Sequence, residues 1–158
     1  MKRTVRDLMR EIPISPFPAV PPETSISHTV ERMSEMQSGA ALVVKDGEVK
    51  GIFSAQDFLQ RSIGRKSMIN LGIEVQTVMT RDVIYVTADT SLEECLVLIS
   101  KARVRHLPVM EGITAIGLLC QGHVTELLVK ERQIRGGDLF QYIAPRLVET
   151  EEQETKGS

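Results

Sequence analysis

The chain has 158 residues, enough for one domain or two closely packed subdomains with a sizeable core. Hydrophobic residues make up 42% and charged residues 25%; aromatics at 4% and the lack of tryptophan leave the core to Val, Ile, Leu and Met. The net charge of −2 is concentrated in an acidic end, which leaves a nearly neutral body without the basic face that nucleic-acid binding needs, and no stretch nears the ~20 apolar residues of a membrane span.

In chain order, residues 5–9 are patterned as a brief helical turn. Residues 12–22 hold five prolines and read as an extended crossing segment. Thr24 or Ser25 caps a helix in which Ile26, Val30, Met33 and Met36 recur at helical spacing. Residues 40–44 are a continuous apolar run, Lys45-Asp46-Gly47 a turn and residues 49–53 a second strand. A further helix starts near Ser54 and carries Phe58 and Leu59.

The same order then returns. Residues 83–86 read as a strand, and Thr90-Ser-Leu-Glu93 as a capping box before Leu92, Cys95, Leu96 and Ile99. Residues 107–110 and 113–119 form a strand pair around Glu111-Gly112, and residues 124–134 a closing helix. A basic linker lies between the copies. After Gly136-Gly137 one more short helix is expected, and the glutamate-rich end reads as disordered.

The duplication is visible residue by residue. Val5-Arg-Asp-Leu-Met9 is answered by Val75-Gln-Thr-Val-Met79, and Thr24-Ser-Ile by Thr90-Ser-Leu92. Val44-Lys-Asp-Gly47 is answered by Val109-Met-Glu-Gly112, and Gly51-Ile-Phe-Ser54 by Gly117-Leu-Leu-Cys120. The offset, roughly 65 to 70 residues, exceeds solenoid periods of about 20–50. It describes one small α/β unit present twice.

Val-Met-Thr at 78–80, Thr-Ser-Leu-Glu-Glu at 90–94, Arg-His-Leu-Pro-Val at 105–109 and Gly-Ile-Phe-Ser-x-x-Asp at 51–57 occur in the order of a tandem cystathionine-β-synthase (CBS) pair, or Bateman module, and the chain resembles a free-standing member. The resemblance covers residues 5–130. It implies an α/β (α+β) fold of two β-α-β-β-α repeats related by pseudo-two-fold symmetry. The expected division is repeat 1 at 1–62, linker at 63–74, repeat 2 at 75–130, helical extension at 131–145 and disordered tail at 146–158.

By the same resemblance, the cleft between repeats binds an adenosine-containing ligand of the AMP, ADP, ATP, NAD or S-adenosylmethionine class. Asp57 is then the ribose partner, and Ser54, Arg105 and His106 the phosphate partners. The residue chemistry fits: a carboxylate accepts from two vicinal hydroxyls, and a guanidinium fork suits phosphate oxygens. Ile52, Ala19 and Val20 are candidates for the base pocket. Ser54 and Asp57 also read simply as a helix cap, and the two roles are compatible. Arg105 and His106 also read as surface residues flanking a strand.

The second copy departs from the pattern. Cys120 stands in the hydroxyl position and His123 in the ribose-carboxylate position, while Ala40 and Ala41 replace the basic pair. A neutral imidazole cannot clamp a diol, so at most one good nucleotide site per chain is expected. Cys120 and His123 lack the third group of a nucleophilic set, and two cysteines make neither a disulfide framework nor a metal cluster. The methionines at 33, 36 and 68 read as core or dimer-interface packing.

The expectation is a cytoplasmic, non-enzymatic homodimeric sensor that acts on an unidentified regulated protein, with no metal, no required cofactor, no nucleic acid and no membrane. The alternative is a ligand-independent dimerisation or protein-interaction module with degenerate sites.

Overall fold

The computed structural model describes residues 2–63 and 70–134. Residues 64–69 of the expected linker (Met68 among them), the expected extension beyond residue 134 and the acidic tail lie outside the described residues.

The first copy runs α1 (Val5–Glu11), β1 (Ala19–Val20), α2 (Ile26–Glu35), β2 (Ala40–Lys45), β3 (Glu48–Ser54) and α3 (Ala55–Asp57), which passes into a π-helical stretch, Phe58–Ile63. Thr4 and Asp7 close a capping box at the start of α1. Ser25, rather than Thr24, caps α2, its hydroxyl accepting from the His28 amide at 3.1 Å. The apolar run in β2 has four successive buried residues, as a strand covered on both faces requires. Asp46 and Gly47, both at positive φ, turn it into antiparallel β3, while β1 pairs with β2 in parallel.

The second copy runs from a 3-10 turn (Val75–Thr77) through α4 (Leu92–Ala102), β4 (His106–Glu111), β5 (Thr114–Cys120) and α5 (Gln121–Ile134). Its hairpin repeats the first pair for pair: Ala40 opposes Ser54 and His106 opposes Cys120, with a bulge at the matching place in each.

Two expectations need correction. Residues 83–86 form no strand: Val86 alone makes a parallel bridge to Val109, while Ile84 and Tyr85 project outward, 37% and 58% exposed, so neither packs as a core-facing strand residue. The capping box of α4 sits one residue later than expected, at Ser91 and Glu94. Thr90 Oγ1 instead accepts from the Thr87 amide and closes the preceding turn.

The copies exchange their leading segments. Val5, Leu8, Ile12 and Ile14 are buried in a core with Leu92, Cys95, Ile99, Leu107, Leu119 and Leu127 of the second copy. Val75 and Met79 are buried with Ile26, Met33, Val43 and Phe53 of the first. Backbone bonds tie each exchange: Val5 N donates to Thr90 O at 2.9 Å, and Val75 N to Thr24 O at 2.7 Å. A third cluster, in which Ala40 and Leu42 meet Leu118, packs β2 against β5. Full burial of a residue such as Leu8 stabilises by roughly 1.5–3 kcal/mol, so neither core is complete without the other copy's chain. Clefts open where the two hairpins meet.

Candidate functional site

The wider cleft has a volume of about 380 Å³ and draws on both copies. The first supplies Gly39, Ile52, Ser54, Gln56, Asp57 and Gln60; Thr80 and residues 102–106 come from the second.

Asp57 is placed by the start of α3. Its Oδ2 accepts from Ser54 N at 3.0 Å and from Ser54 Oγ at 3.1 Å, and its amide donates back to Ser54 Oγ at 3.1 Å. The capping box is therefore formed. Asp57 Oδ1 is less engaged, meeting Thr80 Oγ1 at 3.4 Å and Arg61 Nη2 at 3.8 Å. That oxygen retains acceptor capacity toward the cleft. Ser54 Oγ spends its proton on Asp57, so it must rotate before donating to a phosphate.

Ile52 forms the floor through a two-way backbone bridge with Thr80, at 2.9 and 2.8 Å. Ala19 and Val20 do not line the cleft. Val20, 6% exposed, turns into the first core, and Ala19, its neighbour on β1, lies on the opposite, exposed side.

Arg105 and His106 enter from the start of β4. Arg105 is exposed and lines the cleft. Burial pushes the His106 imidazole down to about 4, helped by His123 and Arg105, so it is neutral at pH 7. It can hydrogen-bond there but supplies no charge. Its ring lies against Gly39, where a Cβ would come within 3.1 Å of His106 Cε1. Sequence reasoning passed over Thr80, Gly39 and Arg103 as site residues. Thr80 carried a signal in its Val-Met-Thr motif, whereas Gly39 and Arg103 reach the cleft only through tertiary packing.

A narrower cleft of about 160 Å³ occupies the pseudo-symmetric position, lined by Cys120, His123, Leu118, Gln37 and the proline segment from Pro13 to Pro18. His123 takes over the capping role of Asp57, its Nδ1 accepting from Cys120 N at 3.1 Å. Burial raises the Cys120 thiol, but hydrogen bonding to His123 outweighs it and holds the group below its ordinary range. His106 and Gly39 line both clefts and form the wall between them. Among the described residues, no group of three or more His, Cys, Asp or Glu could hold a metal ion, and no helix is long and apolar enough to cross a membrane.

A family model described as CBS domain matches residues 5–64 and 75–130. The mitochondrial CBS domain-containing protein CBSX3 of Arabidopsis thaliana is 30% identical over 118 residues, covering 70% of this chain and 56% of that protein, so the chain spans little more than half of that relative's length. The crystal structure of the CBS domain of NE2398 superposes with a TM-score of 0.73 at 33% identity, covering 82% of this chain and 99% of that one. The crystal structure of CBSX2 in complex with AMP gives a TM-score of 0.68 at 25% identity, covering 81% and 97%.

Proposed function

Because the chain belongs to the CBS-domain family, with the domain present twice, we propose that it is a regulatory sensor that binds an adenosine-containing ligand in the wider cleft. The observation that carries this reading is convergence: Ser54 and Asp57 of one copy and Arg105 and His106 of the other line the same cavity. Asp57 Oδ1 accepts from the ribose hydroxyls, Arg105 holds the phosphate, and Ile52 gives the base an apolar wall. His106 assists as a neutral hydrogen-bonding group. The AMP complex of CBSX2 supports the ligand class. The narrower cleft, without a carboxylate or a cation, is left without a nucleotide.

Binding across two copies favours whichever packing of the hairpins suits the ligand, and differential affinity for two packings is what a partner protein reads. We propose further that the sensor works as a cytoplasmic homodimer, for which Leu59 and Val97, 60% and 49% exposed, offer apolar surface. The reading is non-enzymatic. His123 Nδ1 accepts a hydrogen bond from the Cys120 amide, the capping role that Asp57 fills in the first copy, which gives the pair a structural part.

Thermal unfolding of wild type and Asp57→Ala with AMP, ADP, ATP, NAD and S-adenosylmethionine tests the proposal. A ligand at ~100 times its Kd adds about 2.7 kcal/mol, a shift of roughly 5–10 °C for a domain of this size. A shift confined to wild type is the expected result. No shift with any member of the panel removes the sensor reading in favour of a ligand-independent interaction module, and an equal shift in both proteins removes Asp57 from the binding site.

A further inference from the structure

Two arginines of the second copy reach the wider cleft, and the reading above uses only one. Arg103 is exposed and lines the cavity, and among the described residues neither it nor Arg105 joins an ion pair. The Arg103 backbone is left-handed, φ 54 and ψ 37, at the residue that ends α4. Glycine ends helices this way without steric penalty, whereas an L side chain there is strained. At the matching place in the first copy, Gln37 has φ 51 and lines the narrower cleft. The fold thus requires the left-handed turn in both copies. At both places a side chain stands at a cleft where glycine would be easier: an amide at one and a guanidinium at the other.

We infer that Arg103 is a specificity-determining residue of the wider cleft, a second permanent cation held against the backbone's own preference, which selects a ligand carrying two negative charges on one phosphate group. The inference rests on the adenosine-ligand reading and deepens it. The charges at the cleft support it. Asp57 has Arg61 as its counter-ion at 3.8 Å, which leaves Arg103 and Arg105 unbalanced. His106, pushed down to about 4 by burial, adds nothing at pH 7.

Two guanidiniums match the roughly −1.5 to −2 of a phosphomonoester at pH 7. A sulfonium-bearing adenosyl ligand brings a positive charge to two others. A nucleoside leaves both guanidiniums unused. A triphosphate carries more negative charge than two arginines balance.

Calorimetric titration of the full chain with AMP, adenosine, ATP and S-adenosylmethionine tests this in wild type, Arg103→Gly and Asp57→Ala. AMP is expected to bind wild type roughly ten-fold or more tightly than each of the others. Arg103→Gly should weaken AMP by roughly ten-fold while leaving adenosine unchanged. Its melting temperature should equal or exceed that of wild type, since glycine relieves the left-handed turn and a drop in affinity then cannot be ascribed to unfolding. An AMP-to-adenosine ratio that Arg103→Gly leaves at the wild-type value overturns the role of Arg103, as does an equal loss of both ligands. If none of the four binds wild type, or Asp57→Ala binds them all unchanged, the underlying ligand reading falls instead.

Discussion

Asp57 holds Ser54 with one carboxylate oxygen and keeps the other at the cleft. Oδ2 accepts from Ser54 N and Oγ at 3.0 and 3.1 Å, while Oδ1 meets Thr80 Oγ1 only at 3.4 Å. One side chain is therefore both a helix cap and a candidate ligand group, and substitution separates the roles. Ser54→Ala removes the cap hydroxyl and should cost about 1 kcal/mol in urea unfolding, while most of the nucleotide-induced thermal shift survives. Asp57→Asn keeps an acceptor for the Ser54 amide and should cost no more than that, yet abolish the shift. An Asp57→Asn variant that still binds like wild type excludes the carboxylate from the site.

Gly51 and Gly117 occupy matching places on β3 and β5, but their surroundings differ. A Cβ on Gly51 would come within 2.5 Å of Met79 Sδ and 2.8 Å of the Thr80 carbonyl oxygen. On Gly117 the obstacles are the Ile14 side-chain carbons at 2.7 and 2.9 Å, with backbone no closer than 3.5 Å. A side chain can yield, whereas the Thr80 carbonyl is fixed by its bond to Ile52 N. Gly51→Ala should therefore destabilise by about 2–3 kcal/mol and Gly117→Ala by roughly 1 kcal/mol, read from denaturant midpoints. Equal losses would show that the exchanged segment moves as freely as a side chain.

His106 makes stability fall as the solution is acidified. Burial sets its folded-state pKa to about 4, below the ordinary value of 6.5. As pH falls through 6.5 the unfolded chain binds a proton that the folded chain refuses until about 4, so stability is lost across that window, on the order of 3 kcal/mol in full. His123 works in the opposite sense, since its hydrogen bond to Cys120 raises its pKa. The carboxyls of Asp7 and Glu94, lowered by the Thr4 and Ser91 caps, lose their contribution only at lower pH, as they protonate. Urea midpoints measured from pH 7.5 to 4.5 should decline in wild type and decline much less in His106→Gln. Parallel curves would mean that His106 protonates freely in the folded protein.

The exchanged segments predict damage at a distance. Leu8 is fully buried among side chains of the second copy. Leu8→Ala should cost about 3 kcal/mol. In hydrogen exchange the loss of protection should fall first on α4, β4 and β5 rather than on β2 and β3. Preferential deprotection of β2 and β3 would contradict the exchange.

The sequence by itself determined everything that local chemistry encodes. Apolar periodicity located α2, α4 and both hairpins, and matching motifs showed the duplication. The Ser54-x-x-Asp57 spacing placed a cap and a carboxylate together, because a capping box spans only one helical turn. Where a local signal was duplicated it misled by one residue, as at Thr90 and Ser91, since either hydroxyl suits the position and only the packed turn through Thr87 selects one. Strand propensity at residues 83–86 likewise could not reveal that Val86 alone would find a partner. The tertiary structure decided the rest: which core each leading segment enters, that Val20 faces the first core while Ile52 lines the cleft, and that Arg103, itself left-handed, lines the same cleft as Asp57. It also decided that His106 is neutral. Those properties depend on groups far apart in the chain, on burial, and on the sum of neighbouring charges, none of which a residue type carries by itself.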